Sequence, residues 1–118
     1  MGVVIDMLTI EQLKEFGVDT KEGLTRCMNM EAFYFKMIKT GLSDGHFDSL
    51  ASSVESGNLE EAFEAAHALK GVIGNLALTP IYEPLAEMTE MLRAGKEADY
   101  VTMYKPIKEM RDKLLAMC

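Results

Sequence analysis

The stretch EEAFEAAHALKGVIGN, residues 60–75, decides the fold. At about 100° per residue, a helix from Leu59 to Leu78 gathers Leu59, Ala62, Ala66, Leu69, Ile73 and Leu76 into one apolar stripe. That is the pattern of a helix burying one face against others. His67 falls roughly a quarter turn from Ala66, at the boundary between the stripe and solvent. Lys70 follows one turn along the same side, and Gly71 and Gly74 leave the neighbouring surface bare, so that another macromolecule can approach closely. Each glycine inside a helix costs about 1 kcal/mol relative to alanine, so something other than helix stability accounts for the pair. On spacing alone two accounts stay open. Either this is an accessible reactive surface, or His67 is an ordinary boundary histidine and the glycines admit a close helix crossing.

Working outward, Asn58 with Glu61 opens this helix as a capping box. The preceding segment carries Phe47, Leu50, Ala51 and Val54 on one face and stops at Gly57, with Ser43 as N-cap candidate and Leu42 stapling onto Phe47. The connection through Gly57 is so short that the two helices are antiparallel neighbours. Downstream, Thr79 followed by Pro80 reads as a cap with proline at the first helical position. That helix presents Ile81, Leu85, Met88 and Leu92 and ends at Gly95. A last amphipathic segment runs from about Tyr100 to Met117, with Pro106 expected to kink it.

Upstream, Thr9 with Gln12 forms a capping box, with Leu8 stapled to Leu13 and Gly17 as the stop. Asp19 with Glu22 opens a second short helix carrying Leu24, Cys27 and Met28 inward, and these two pieces are expected to act as a lid. Asn29 is the cap expected for a third helix, with Phe33, Met37 and Ile38 inward, Tyr34 and Phe35 flanking, and Gly41 as its end. No period-2 run bounded by turn residues is present. The fold class is therefore all-α: an up-and-down four-helix bundle over about residues 43–118, with two or three short helices in about 1–42 packed on it, in one domain spanning 1–118.

Composition narrows the function. A chain of 118 residues with 48% hydrophobic content suits one domain with a real core. No apolar run approaches the roughly 20 residues of a membrane span, and the opening MGVVIDMLTI lacks the basic flank and apolar core of a signal peptide. A cytoplasmic protein is expected. Cys27 and Cys118 form neither a disulfide framework nor a Cys-x-x-Cys pair and read as reduced thiols. A formal net charge of −7 with no basic cluster argues against nucleic acid and anionic membranes and for a protein partner. The ten methionines read as flexible core filler before docking surface.

The motif HALKG at 67–71, the small-residue run to Leu78 and the helix opened at Thr79 resemble histidine-containing phosphotransfer (HPt) domains. The stretch GVDTKEGLTRCMNMEAFYFKMI, residues 17–38, is similar to the N-terminal region of small stand-alone members, so the likeness covers nearly the whole chain. The resemblance implies a four-helix bundle whose motif histidine takes a phosphoryl group from, and passes it to, an aspartate on a receiver domain. Carried over residue by residue, His67 would be phosphorylated, Lys70 would face the phosphoryl oxygens, and Gly71 with Gly74 would give the receiver access. No cofactor and no metal belongs to the chain itself, Mg²⁺ being the receiver's. The partners implied are a response-regulator receiver domain, a hybrid sensor kinase, or both, acting on a monomer. Two positions depart from the common pattern. Ala77 stands where many members have glycine, and Thr89 where many place a glutamine that hydrogen-bonds the histidine ring.

The residue chemistry agrees with that role. An imidazole with a reference pKa near 6.5 offers an unprotonated nitrogen at neutral pH, and an ammonium compensates phosphoryl charge. Phosphoryl transfer depends mostly on positioning and electrostatics. Competing readings fit less well. Gly71 to Gly74 matches the GxxG of KH domains but lacks strands and basic surface. His46 has no partner ligands at metal-binding spacing and reads as a solvated first-turn residue. Glu60, Glu61 and Glu64 form a solvated face, with Glu64 placed to influence the His67 ring. The alternative function is a helical adaptor that docks a receiver or kinase without being phosphorylated; it would not require His67, Lys70 and Gly71 together. The reading favoured is a phosphorelay carrier, not an enzyme with its own substrate.

Overall fold

Asn58 starts the central helix as the expected N-cap, its Oδ1 accepting the Glu61 N–H at 3.1 Å, but without the return bond from the Glu61 side chain that a capping box requires. In the computed structural model, which describes residues 8–118, seven α-helices and no strands are present among the described residues. They are α1 (Ile10–Phe16), α2 (Thr20–Arg26), α3 (Glu31–Leu42), α4 (His46–Ser56), α5 (Leu59–Asn75), α6 (Thr79–Arg93) and α7 (Tyr100–Ala116). Helices α4 to α7 pack in a ring, each against the next and α7 back against α4, while α3 lies against α5 and α7. Short connections, Gly57 and Asn58 before α5 and Leu76 to Leu78 after it, force successive helices to reverse. The reading of the opening stretch MGVVIDMLTI falls largely on residues 1–7, which lie outside the described residues.

The core is the one the periodicity picks out. Ala62, Ala66, Leu69 and Ile73 of α5 are completely buried, as are Leu50, Ile81, Leu85, Met88, Ile107 and Leu114 of its neighbours. Removing such side chains from water is the main stabilising term, about 1.5–3 kcal/mol for each large one. Tyr104 closes the α4–α7 seam by donating its hydroxyl to the Phe47 carbonyl at 2.8 Å. Arg111 donates to the Leu42 carbonyl at 2.7 Å and stacks over Phe47. Helix α7 runs unbroken through Pro106.

Local signals succeed where a side chain bonds to its own turn. Thr9 and Gln12 form the reciprocal capping box, Asp19 accepts from the Glu22 N–H, and Gly17 and Gly57 stop their helices in left-handed conformations. Three expected caps are corrected. Asn29 closes α2 instead of opening α3: at φ 58° it follows Met28 at φ 57°, and its N–H returns to the Leu24 carbonyl at 2.7 Å. Ser43 caps the end of α3, its hydroxyl donating back to Lys39, while Asp44 takes the His46 N–H at the start of α4. Thr79 is already helical, with Leu78 before it as N-cap, and its hydroxyl donates back to Ala77.

The face of α3 is corrected too. Phe33 and Met37 are exposed, and Tyr34 and Ile38 are wholly buried. The cause is Tyr34, whose ring is large enough to reach the α5–α6 turn and donate its hydroxyl to the Leu76 carbonyl at 2.7 Å. Gly41 does not end α3 but lies inside it, where a Cβ would come within 2.6 Å of Leu76. Met28, expected inward, is 72% exposed. Helix α5 stops at Asn75, short of Leu78, because Ala77 turns left-handed at φ 57°. Helices α1 and α2, expected as a lid, dock beside that turn: the Asp19 N–H donates to the Ala77 carbonyl at 3.2 Å.

Candidate functional site

Midway along α5, burial alternates as the stripe requires. Ala65, Ala66 and Leu69 are buried, Lys70 is partly covered, and His67 and Gly71 face solvent. His67, Lys70, Gly71 and Gly74 line one open cleft of about 550 Å³. Its far wall is Asp19, Glu22 and Arg26 of the α2 region, and its end is formed by Ala77, Thr79 and Tyr82 at the start of α6. The four residues singled out in the sequence are thus brought together. The far wall is not legible there, because it depends on how α2 meets the α5–α6 turn.

The two glycines differ. A Cβ at Gly71 would meet nothing within 4 Å, whereas one at Gly74 would lie 3.0 Å from Tyr82 Cε1. Gly71 therefore keeps the surface beside His67 open, and Gly74 lets the Tyr82 ring pack against α5. The spacing treated the two glycines alike, but only Gly74 admits a close helix contact, while Gly71 leaves open surface.

Lys70 extends toward α6, its Nζ 3.8 Å from Glu90 Oε2. Glu90 also pairs with Arg93, 3.3 Å from Oε1 to Nε. These are solvent-exposed contacts that contribute under about 1 kcal/mol each and leave the ammonium able to redirect. On the opposite wall Arg26 pairs with Glu22 at 2.9 Å and donates to Asn75 Oδ1 at 3.3 Å, placing a second cation at the cleft.

No protein group among the described residues hydrogen-bonds the His67 ring nitrogens. Thr89 is completely buried and donates its hydroxyl to the Leu85 carbonyl at 2.6 Å, so it does not reach the ring. Glu64 lines a separate shallow cleft with His46 and Ser49. The ring instead lies against Phe63, with centroids 5.6 Å apart and planes 18° from parallel. Arg93 Cζ lies 5.0 Å from the Phe63 centroid. The i, i+4 spacing of Phe63 and His67 was visible in the sequence; Arg93 was not, since its place depends on the register of α6 against α5.

His46 is exposed, with Nδ1 2.7 Å from Asp44 Oδ1, and no group of three or more metal-ligating side chains occurs among the described residues. The methionines divide. Met88 is buried and Met91, Met103, Met110 and Met117 pack partly against the core, but Met28, Met30 and Met37 are exposed. Phe33 and Met37 border a second cleft that shares Arg26 and Asn75 with the first. An exposed apolar surface therefore adjoins the His67 cleft. No helix among the described residues is long and apolar enough to cross a membrane.

A family model described as the Hpt domain matches residues 42–117, a span that begins at the end of α3 and takes in α4 to α7 with His67, Lys70, Gly71 and Gly74. No curated protein and no solved structure gives a significant match.

Proposed function

The chain belongs to the Hpt domain family, whose members serve phosphotransfer in two-component signalling, and from that premise we propose that it is a phosphorelay carrier with His67 as the phosphorylated residue. The observation that carries the proposal is a solvent-facing imidazole beside the open surface of Gly71, with Lys70 on the same cleft. In the transfer, the unprotonated ring nitrogen attacks the phosphorus of a receiver's aspartyl phosphate. The N–P bond forms as the P–O bond to the aspartate breaks, and the carboxylate leaves with the electron pair. The other ring nitrogen gives its proton to water, and the reverse sequence returns the group.

Lys70 swings from Glu90 to the phosphoryl oxygens, compensating their charge as a point cation. Gly71 admits the receiver's loops, with Gly74 shaping the same cleft by seating Tyr82. The chain acts as an intermediate without a substrate of its own, one domain and one monomer in the cytoplasm. It meets a receiver domain, a hybrid sensor kinase, or both. The exposed Phe33 and Met37, which border the cleft adjoining that of His67, support a protein partner.

Incubation with phosphorylated receiver domains tests this. Label should pass to the chain, resist alkali, yield to acid, and be absent from His67→Gln, whose far-UV helix signal should be unchanged because an exposed position contributes little packing. Label retained by His67→Gln would remove His67 from the role.

A further inference from the structure

We infer that Phe63 is the positioning residue for the His67 ring, holding it by stacking where no hydrogen bond does. The inference rests on the carrier reading above. A histidine ring on an exposed helix face samples a broad, two-fold χ2 distribution unless something fixes it. Here the usual device, an acceptor bonded to one ring nitrogen, is missing among the described residues, and Thr89 spends its hydroxyl on Leu85.

Phe63 supplies a different constraint. It lies one turn before His67 on α5, is packed partly into the core, and offers its ring at 5.6 Å and 18°, within the range of offset-stacked pairs. Stacking restricts rotation of the imidazole plane but leaves both nitrogens, which lie at the ring edge, open to a receiver. A hydrogen bond would occupy one of them.

Phe63 is held in turn from α6. Arg93 places its guanidinium 5.0 Å from the Phe63 centroid and is itself paired with Glu90, which reaches Lys70 at 3.8 Å. The reactive ring and the phosphoryl-facing cation are thereby tied to the same stretch of α6.

Phe63→Leu tests the role, since leucine keeps apolar packing and helix propensity but removes the ring. Rates of label transfer from a phosphorylated receiver to His67 should fall roughly three- to tenfold, the range expected for one aromatic pair, and Phe63→Tyr should recover them. The carbon-bound protons of the His67 ring, which sit in the Phe63 ring current in the parent, should change their shifts in Phe63→Leu and return in Phe63→Tyr. Arg93→Gln, at an exposed position, should give a smaller change of the same sign without disturbing α5. Unmoved His67 resonances in Phe63→Leu, or an unchanged transfer rate with the parent labelled normally, would overturn the positioning role alone. A parent that takes no label overturns the carrier reading and this role with it.

Discussion

Exchanging each α5 glycine for alanine separates helix propensity from cleft geometry. At an interior helical position the exchange is worth about 1 kcal/mol in favour of alanine. At Gly71 nothing opposes that gain, because the added methyl meets no atom within 4 Å. For 118 residues, unfolding entropies of about 2 cal/mol/K per residue make 1 kcal/mol equal to roughly 4 °C in Tm, so Gly71→Ala should melt about 4 °C higher. At Gly74 the methyl would lie 3.0 Å from Tyr82 Cε1 and 3.3 Å from Cδ1, and the ring must give way. The position is also one residue from the end of α5, where propensity counts for less. Gly74→Ala should therefore gain nothing or lose up to about 1 kcal/mol. Thermal and urea unfolding followed by far-UV circular dichroism read the difference. Gly71→Gln adds the functional arm: it should fold and yet take label poorly, because its side chain fills the surface beside His67. Equal stabilisation by the two alanines would show that Tyr82 does not cover Gly74, and normal transfer by Gly71→Gln would show that the bare surface is not where a receiver docks.

Lys70→Met should slow label transfer and shorten phosphate retention, with Lys70→Arg recovering part, since a planar fork places charge differently from a compact ammonium; equal rates for parent and Lys70→Met would remove Lys70 from the site. Ala77→Gly should stabilise the chain by about 0.5–1 kcal/mol, because Ala77 holds φ 57°, a conformation that costs a residue with a Cβ but not glycine; an unchanged urea midpoint would count against it. Burial pushes the Tyr34 and Tyr104 phenols up from 10 to about 12, so the folded chain keeps protons that the unfolded chain releases. Their contribution is full below pH 10 and is lost as pH rises from 10 to about 12. The urea midpoint should fall across that window in step with tyrosinate absorbance, and less steeply in Tyr104→Phe.

What could be read from the sequence is what one stretch of chain settles by itself. Thr9, Asp19 and Asn58 cap their helices because the acceptor and the N–H lie within the same turn. Asn29, Ser43 and Thr79 carry the same side-chain chemistry, but each stands where the chain reverses and two helices compete for it. The contest is decided by left-handed residues and backbone bonds that residue type alone does not reveal. On α3 the spacing put Phe33, Met37 and Ile38 inward with Tyr34 flanking, and of these Ile38 is buried while Tyr34 takes the inward place expected of Phe33 and Met37. Tyr34 prevails because its hydroxyl finds the Leu76 carbonyl, 42 residues along the chain. The cleft divides the same way: His67, Lys70, Gly71 and Gly74 share one helix and were legible together, while Arg26 and Tyr82 reach it from others.

That division bears on how the site is held. The family match starts at residue 42, yet Asp19, Glu22 and Arg26, which form the far wall of the His67 cleft, all precede it. Asp19 and Arg26 bond to the bundle at the turn between α5 and α6. The Asp19 N–H bonds to the Ala77 carbonyl, Tyr34 bonds to the Leu76 carbonyl, and Arg26 reaches Asn75. Gly17 lies so close to Pro80 that a Cβ there would come within 3.2 Å of its ring. The strained φ of Ala77 belongs to this turn, and it points the carbonyls of Leu76 and Ala77 away from α5 toward the N-terminal helices. A helix continued to Leu78 would also leave these carbonyls without partners of its own, but would point them along its axis. The early stop of α5, which the apolar stripe did not foretell, turns these carbonyls toward Asp19 and Tyr34 and so helps to hold the second wall of the cleft in place.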